Sequence, residues 1–350
     1  MKKYIITLLT LCCAAGSMAA EIVVSMESNG VLRAEGLEPG SSFTVEWASC
    51  LTNAFTNNPA PFSGLTADSN GVGSVAIPMF FRVSGTPASS IPEGMVAVHA
   101  GTNSGTNPLG DGESYDSEWY PETYSLTVDA FYMDATEVTK AQWDAVYNWA
   151  VAHGYSFDNV GSGKAANHPV QSVNWYDCVK WCNARSEMEG RTPCYTVSGS
   201  PYKTGQSAPV CNFEADGFRL PTSDEWEYAA RGGLQGKRFP WGDTITHSQA
   251  NYFSSSSYSY DTSATRGYHP SYKTGGYPYT SSVGSFSANG YGLYDMSGNV
   301  WEWCWDASGS GRDFRGGSWS NYAYGVRCGG AGWHDPADVH GSIGFRAVCR

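Results

Sequence analysis

In Phe43-Thr44-Val45-Glu46-Trp47 apolar and polar residues alternate, the period-two pattern of a strand with one buried face. Ile22-Val23-Val24 before it and Ser74 to Val83 after it have strand composition, with turn signals at Ser28-Asn29-Gly30 and Glu38-Pro39-Gly40. Residues 21–84 are therefore expected to form a small all-β domain. The Ser/Pro/Gly-rich stretch 85–93 reads as a linker, and a second domain is expected over 94–350. That domain opens with strands at Met95-Val96-Ala97-Val98 and Phe131-Tyr132-Met133-Asp134, followed by Glu137-Val138-Thr139. From Thr139 the apolar spacing turns helical: Trp143, Val146 and Ala150 share one stripe, and Gly154 stands just past its end. A second helix starts at Asn174 and carries Trp175, Cys178, Val179 and Cys182 on one face. Thr222-Ser223-Asp224-Glu225 is a capping box opening a third helix, which ends at Arg231-Gly232-Gly233. Short helices set among short strands and irregular segments predict an α+β fold. Ser254 to Thr280, dominated by Ser, Tyr and Gly, is expected to be a long surface excursion.

Composition narrows the functional classes. Only 15% of the 350 residues are charged, while 14% are aromatic and 41 are glycine. That profile suits a loop-rich fold anchored by large rings and excludes a helical bundle. The net charge of −12 argues against nucleic acid as a partner, because phosphates need a basic face. Residues 1–20 have the layout of a secretory signal: Lys2 and Lys3, an apolar centre from Tyr4 to Ala15, then small residues around Met18-Ala19-Ala20. That apolar stretch is too short to span a bilayer, so export to the periplasm or the exterior, with no membrane span, is expected. Removal of this segment leaves Cys50, Cys178, Cys182, Cys194, Cys211, Cys304, Cys328 and Cys349. An even count in an exported chain permits disulfides, with the connectivity open. Cys194 and Cys211, which flank a short Gly/Ser/Pro-rich excursion, are the expected pair.

The run from Asn289 to Trp303, Asn-Gly-Tyr-Gly-Leu-Tyr-Asp-Met-Ser-Gly-Asn-Val-Trp-Glu-Trp, fits neither helix nor strand period. It packs three glycines, two tryptophans and two carboxylates into fifteen residues. Downstream stand Phe314-Arg315-Gly316-Gly317-Ser318-Trp319 and Gly344-Phe345-Arg346, and upstream Phe218-Arg219-Leu220-Pro221-Thr222. In order and spacing these motifs resemble the formylglycine-generating enzyme (sulfatase-modifying factor) family over residues 94–350. The resemblance implies a C-type-lectin-like fold rich in irregular structure.

It also implies two metals. Calcium takes carboxylate and carbonyl oxygens, and a glycine-containing loop between two acids is a suitable cage. The family's structural calcium loop matches here as Asp295 and Glu302 by side chain and Gly298 and Val300 by carbonyl. A second calcium site matches less well, through Asn251, Tyr252 and Tyr277, with Gly275 where an acid is expected. Formylglycine generation itself oxidises a sulfatase cysteine with copper held by two enzyme thiolates, which suit the soft copper(I) ion. The matching positions here are Asn321 and Val326, and neither carries sulfur. Copper and the family oxidation are therefore not expected.

Other chemistries find no footing. Zinc would need close cysteine pairs or a His-x-x-x-His, and the seven histidines show no such spacing. Ser318 lies in no Gly-x-Ser-x-Gly elbow, and the stretch around Gly163-Lys164 lacks the first glycine and the hydroxyl residue of a phosphate loop. The resemblance leaves a receptor role. Relatives encoded beside diversity-generating retroelements vary side chains between Gly-Gly-Ser-Trp and Gly-Phe-Arg. Here that interval holds Tyr322, Tyr324, Trp333 and His334 among small polar residues, a mixture like that of antibody paratopes. Binding of a protein or glycan ligand by this C-terminal surface is the expectation; the alternative is a divergent oxidoreductase of the same family. Tyr322, Tyr324 and Trp333 are expected to be exposed together on one face near His334.

Overall fold

The computed structural model describes residues 91–110, 112–116 and 119–350 in full, and the backbone of seven strands between residues 23 and 85. The expected signal segment, 1–20, lies outside the described residues. The chain divides into two compact units, Met1–Ile91 and Pro92–Arg350. In the first, β1 (Val23–Met26), β2 (Val31–Glu35) and β6 (Gly73–Ala76) form one antiparallel sheet. The second sheet is built on β3 (Ser42–Ala48), which pairs with β4 (Thr56–Asn57), β5 (Leu65–Thr66) and β7 (Phe80–Gly85).

The second unit is α+β. Strand β8 (Met95–Val98) pairs with β11 (Phe131–Asp134), which also pairs with β19 (Val348–Cys349), so the end of this unit returns beside its beginning. A hairpin of β9 (Gly101–Thr106) and β10 (Thr123–Val128) stands between them in sequence. A four-stranded sheet joins β15 (Trp301–Ser308), β16 (Gly311–Arg315), β17 (Ala331–His334) and β18 (Ile343–Gly344), the last running parallel to β15. Three short strands, β12 (Tyr195–Val197), β13 (Ser200–Pro201) and β14 (Val210–Cys211), close a small excursion.

Three helices start where their caps dictate. Helix α1 (Lys140–Ala152) opens on a box of Thr139 and Gln142, α2 (Trp175–Met188) on the Asn174 side chain, and α3 (Ser223–Arg231) on the box of Thr222 and Glu225. Each cap oxygen satisfies an amide that the first turn leaves unpaired. Helix α3 stops at Gly232, whose left-handed backbone (φ +55°) suits glycine best.

Tryptophans centre the core between α1, α2 and the large sheet. Trp143 and Trp181 stack 6.1 Å apart, and Phe345 meets both edge-on. Three of these buried indoles donate to carbonyls: Trp143 to Val160, Trp175 to Cys304 and Trp181 to Trp143. Among the described residues, no helix is long and apolar enough to cross a membrane.

Two expectations need correction. Cys194 and Cys211 are free thiols, as are the other cysteines among the described residues, so the disulfide expectation fails. Register gives the reason: Cys211 stands opposite Tyr195, one residue out of step with Cys194, and side chains alternate between faces. The stretch from Ser254 to Thr280 is irregular but not simply superficial. Asp261 is buried within it and accepts from Tyr252, Ser254 and Arg266, which ties the excursion inward.

Because the Thr222 cap both accepts from Glu225 and fixes the start of a buried helix, Thr222→Ala should cost about 1 kcal/mol. A urea titration should show a lower midpoint with an unchanged slope.

Candidate functional site

The site begins with the turn at Asn289. Its side-chain amide donates to the carbonyls of Ala229 and Ala230 at the end of α3, and its oxygen accepts from the amides of Tyr291 and Leu293. The chain then passes Asp295 (φ +56°), Gly298 (φ +87°) and Asn299 (φ +61°) before entering β15. A Cβ at Gly298 would lie 2.2 Å from the carbonyl oxygen of Asn251, so only glycine lets the two segments meet.

This path places Asp295 and Glu302 in a dry interior beside Glu137. Glu302 is fully buried, and both its oxygens are engaged. Arg346 donates to them at 2.6 and 2.8 Å, and the Trp226 indole at 2.7 Å. The same guanidinium donates to the Tyr294 and Asp134 carbonyls. Glu137 is equally buried, and neither of its oxygens has a hydrogen-bond partner. Asp295 accepts from the Gly284 amide through Oδ2, while its Oδ1 has none. Burial, reinforced by Asp295 and Glu302, pushes Glu137 well above the usual carboxylate range. Burial likewise pushes Asp295 up to about 6. With Glu302 neutralised by Arg346, Glu137 and Asp295 need either a proton between them or a cation, because two ionised carboxylates offer each other no donor.

These residues fit a hard cation. Asp295 Oδ1 and both Glu137 oxygens are buried without a hydrogen-bond partner, and such oxygens are what a hard cation takes. Among the described residues no group of three or more His, Cys, Asp or Glu side chains is arranged for a metal, consistent with Glu302 being held by Arg346 instead. Glu137 was missed from the sequence because Glu137-Val138-Thr139 reads as a strand continuation, and nothing local links it to a motif about 160 residues away. In the second calcium set Gly275 offers no side-chain oxygen where an acid is expected, the Asn251 side-chain nitrogen donates to the Tyr279 carbonyl, and the Tyr252 carbonyl faces a His247 ring nitrogen at 3.2 Å.

The Gly316–Trp319 turn presents the positions where thiolates would stand. Asn321 accepts from the Ser318 amide and hydroxyl through Oδ1, and its carbonyl accepts from Phe253. Val326 is buried against Gly317. Cys328 lies in an apolar cluster with Cys304, where burial pushes its thiol up to about 12.

Around this turn the rings come together unevenly. Tyr322, Tyr324 and Trp333 are 43%, 46% and 45% exposed. Tyr258 packs against both Tyr322 and Tyr324, and Phe253 joins Tyr322 to Tyr268. Tyr268 in turn meets Tyr277, Tyr279 and Trp319, which makes one continuous run of rings. Trp333 and His334 sit apart, on β17, with His334 against Asp338. No ring contact links Trp333 to the tyrosines among the described residues. Sequence reasoning found Tyr322 and Tyr324 but not the partners that come from residues 253–279.

A family model described as the sulfatase-modifying factor enzyme 1-like domain matches residues 81–350. The chain belongs to that family. Its domain is 31% identical to the formylglycine-generating enzyme of Mus musculus over 259 residues, 64% of this chain and 67% of that protein. It is 32% identical to the chaperone protein LppX of Paenibacillus barcinonensis over 197 residues, 52% of this chain and 64% of that protein. The chain thus spans about two thirds of the length of these curated relatives. Among solved structures it is similar to CarF, with 29% identity, a TM-score of 0.56, and coverage of 74% of this chain and 98% of that one. Treponema denticola variable protein 1 gives 27%, 0.53, and coverage of 73% and 94%. The sulfatase-modifying factor fold is thereby secured, and within it the two positions that match copper thiolates hold an amide and an isopropyl group.

Within this sulfatase-modifying factor domain Arg346 should be the least replaceable charge. Arg346→Met leaves three buried acids without a counter-ion and should cost about 3–5 kcal/mol, read from thermal and urea unfolding. A loss under 1 kcal/mol would contradict this electrostatic account.

Proposed function

We propose that this is an exported member of the sulfatase-modifying factor family that binds a protein or glycan ligand through its tyrosine-lined surface, without copper oxidation. The observation that carries the reading is the run of rings from Tyr277 to Tyr324, exposed at Tyr277, Tyr322 and Tyr324, beside the turn where Asn321 and Val326 stand at the expected thiolate positions. Large rings left in water are costly unless something covers them, and rigid rings give contact area for little entropy. The N-terminal layout of residues 1–20 supports export. On this reading calcium is structural. Asp295 and Glu137 would hold it, and its charge would take the place of the proton that burial otherwise keeps on this pair. The catalytic family chemistry would need a sulfur pair that the chain does not place at the turn.

Three measurements test this. A Cys-x-Pro-x-Arg peptide incubated with the protein, copper and oxygen should remain unmodified by mass spectrometry; an aldehyde product would defeat the non-oxidising reading. Glycan arrays and a panel of extracellular proteins should yield a ligand whose signal drops at least about tenfold for Tyr322→Ser/Tyr324→Ser. No ligand, or one indifferent to both changes, would leave a structural role as the better account. Calcium at a hundredfold excess over its dissociation constant should stabilise the wild type by about 2.7 kcal/mol, and Glu137→Gln should lose most of that gain. Identical melting midpoints in calcium and chelator would remove the metal.

A further inference from the structure

The segment from His269 to Thr280 delivers Tyr277 and Tyr279 to the aromatic surface, yet it belongs to no helix or strand. Gly275 (φ +74°) and Gly276 (φ +84°) turn it back on itself without side chains to pack. Lys164 reaches it from a neighbouring loop. Its ammonium donates to the carbonyls of Thr274 at 2.7 Å and Tyr272 at 3.2 Å, and lies 5.9 Å from the centre of the Tyr279 ring. The loop that presents this lysine is itself fixed. The amides of Ala141 and Lys140 donate to Ala166 and His168, and a Cβ at Gly163 would meet the Lys140 side chain at 2.6 Å.

We propose that Lys164 is a built-in cation that holds the 269–280 turn as a bound ion would, so that the aromatic surface assembles without a metal. Carbonyl oxygens converging on one positive centre are what an oxygen-seeking cation gathers. A tethered ammonium supplies the same charge with directed donors, and does so at no cost in free-ion concentration. Gly275, where the family resemblance expects an acidic calcium ligand, follows Thr274 in this turn, and a Cβ there would lie 3.8 Å from Lys164 Cε; the carbonyls that the lysine takes, Tyr272 and Thr274, are other than those of the expected calcium set. An acid is missing at the point that a lysine reaches. The functional interest of this turn rests on the reading of the ring surface as a binding face, but the test uses no ligand and so stands or falls separately.

Hydrogen exchange of the full chain, followed by mass spectrometry over residues 269–280, provides the readout. In the wild type, protection of this segment should be the same in calcium and in chelator. Lys164→Met keeps the stem and removes the charge, and should speed exchange there at least about tenfold while helices α1 and α2 keep their protection. Lys164→Arg should remain close to wild type. In Lys164→Met/Gly275→Asp, added calcium should restore protection, because the acid then supplies what the lysine did. Unchanged exchange in Lys164→Met would overturn the proposal. So would wild-type protection that disappears with chelator in this segment alone. Failure of calcium to act on the double variant would overturn the equivalence of lysine and ion.

Discussion

One guanidinium, that of Arg346, faces Glu302, Asp295 and Glu137 in an interior where water cannot screen any of them. Charges in such a place are tolerated only when each is neutralised and hydrogen-bonded. Arg346 satisfies Glu302 of β15 completely and also donates to the carbonyls of Tyr294, in the loop before β15, and of Asp134 in β11. Trp226 of α3 donates to the same carboxylate, so helix, loop and both sheets meet at one ionic contact. Packing around it cannot relax independently, because moving any partner strands a buried charge. The remaining acids, Glu137 and Asp295, are left to share a proton or to take a cation.

Legibility in the sequence followed locality. The three helices were readable because caps and apolar stripes lie within one turn of each other: Thr139 and Gln142, Asn174, Thr222 and Glu225. Asp295 and Glu302 were readable because only six residues, Gly298 among them, separate them. Glu137 was not, since only the folded chain brings it beside Asp295. The same holds for the rings. Tyr322 and Tyr324 lie between recognisable motifs, whereas Tyr258, Tyr268 and Tyr277 come from a Ser/Tyr/Gly stretch whose composition resembles an idle loop. Asp261, buried in that stretch, is the anchor that composition could not reveal. The Cys194–Cys211 expectation failed for a related reason: flanking a loop sets the distance between two residues but not the faces they occupy.

The domain keeps its family architecture while replacing the atoms its relatives use for oxidation. Asn321 in particular is not a vacancy. Its side chain caps the turn at Ser318 and its carbonyl receives the Phe253 amide. The position has acquired a structural task that joins the motif turn to the ring-bearing segment. A thiolate there would keep the backbone bond to Phe253 but forgo the side-chain bonds to Ser318, so the cap of this turn and sulfur chemistry draw on the same side chain. Trp333 and His334, on the separate edge strand, share none of these constraints.

The pairing of β8 and β19 on either side of β11 has a consequence for how such a domain can be reused. The Cys349 sulfur lies 3.7 Å from that of Met95, yet the two strands flank β11 on opposite sides and run parallel to each other, so the chain enters and leaves this unit in one direction. A host loop that received such a unit would have to open by about 10 Å, the width of two strand spacings. Joined end to end with other domains it needs no such opening, so the strand order favours use in a row over insertion into a loop.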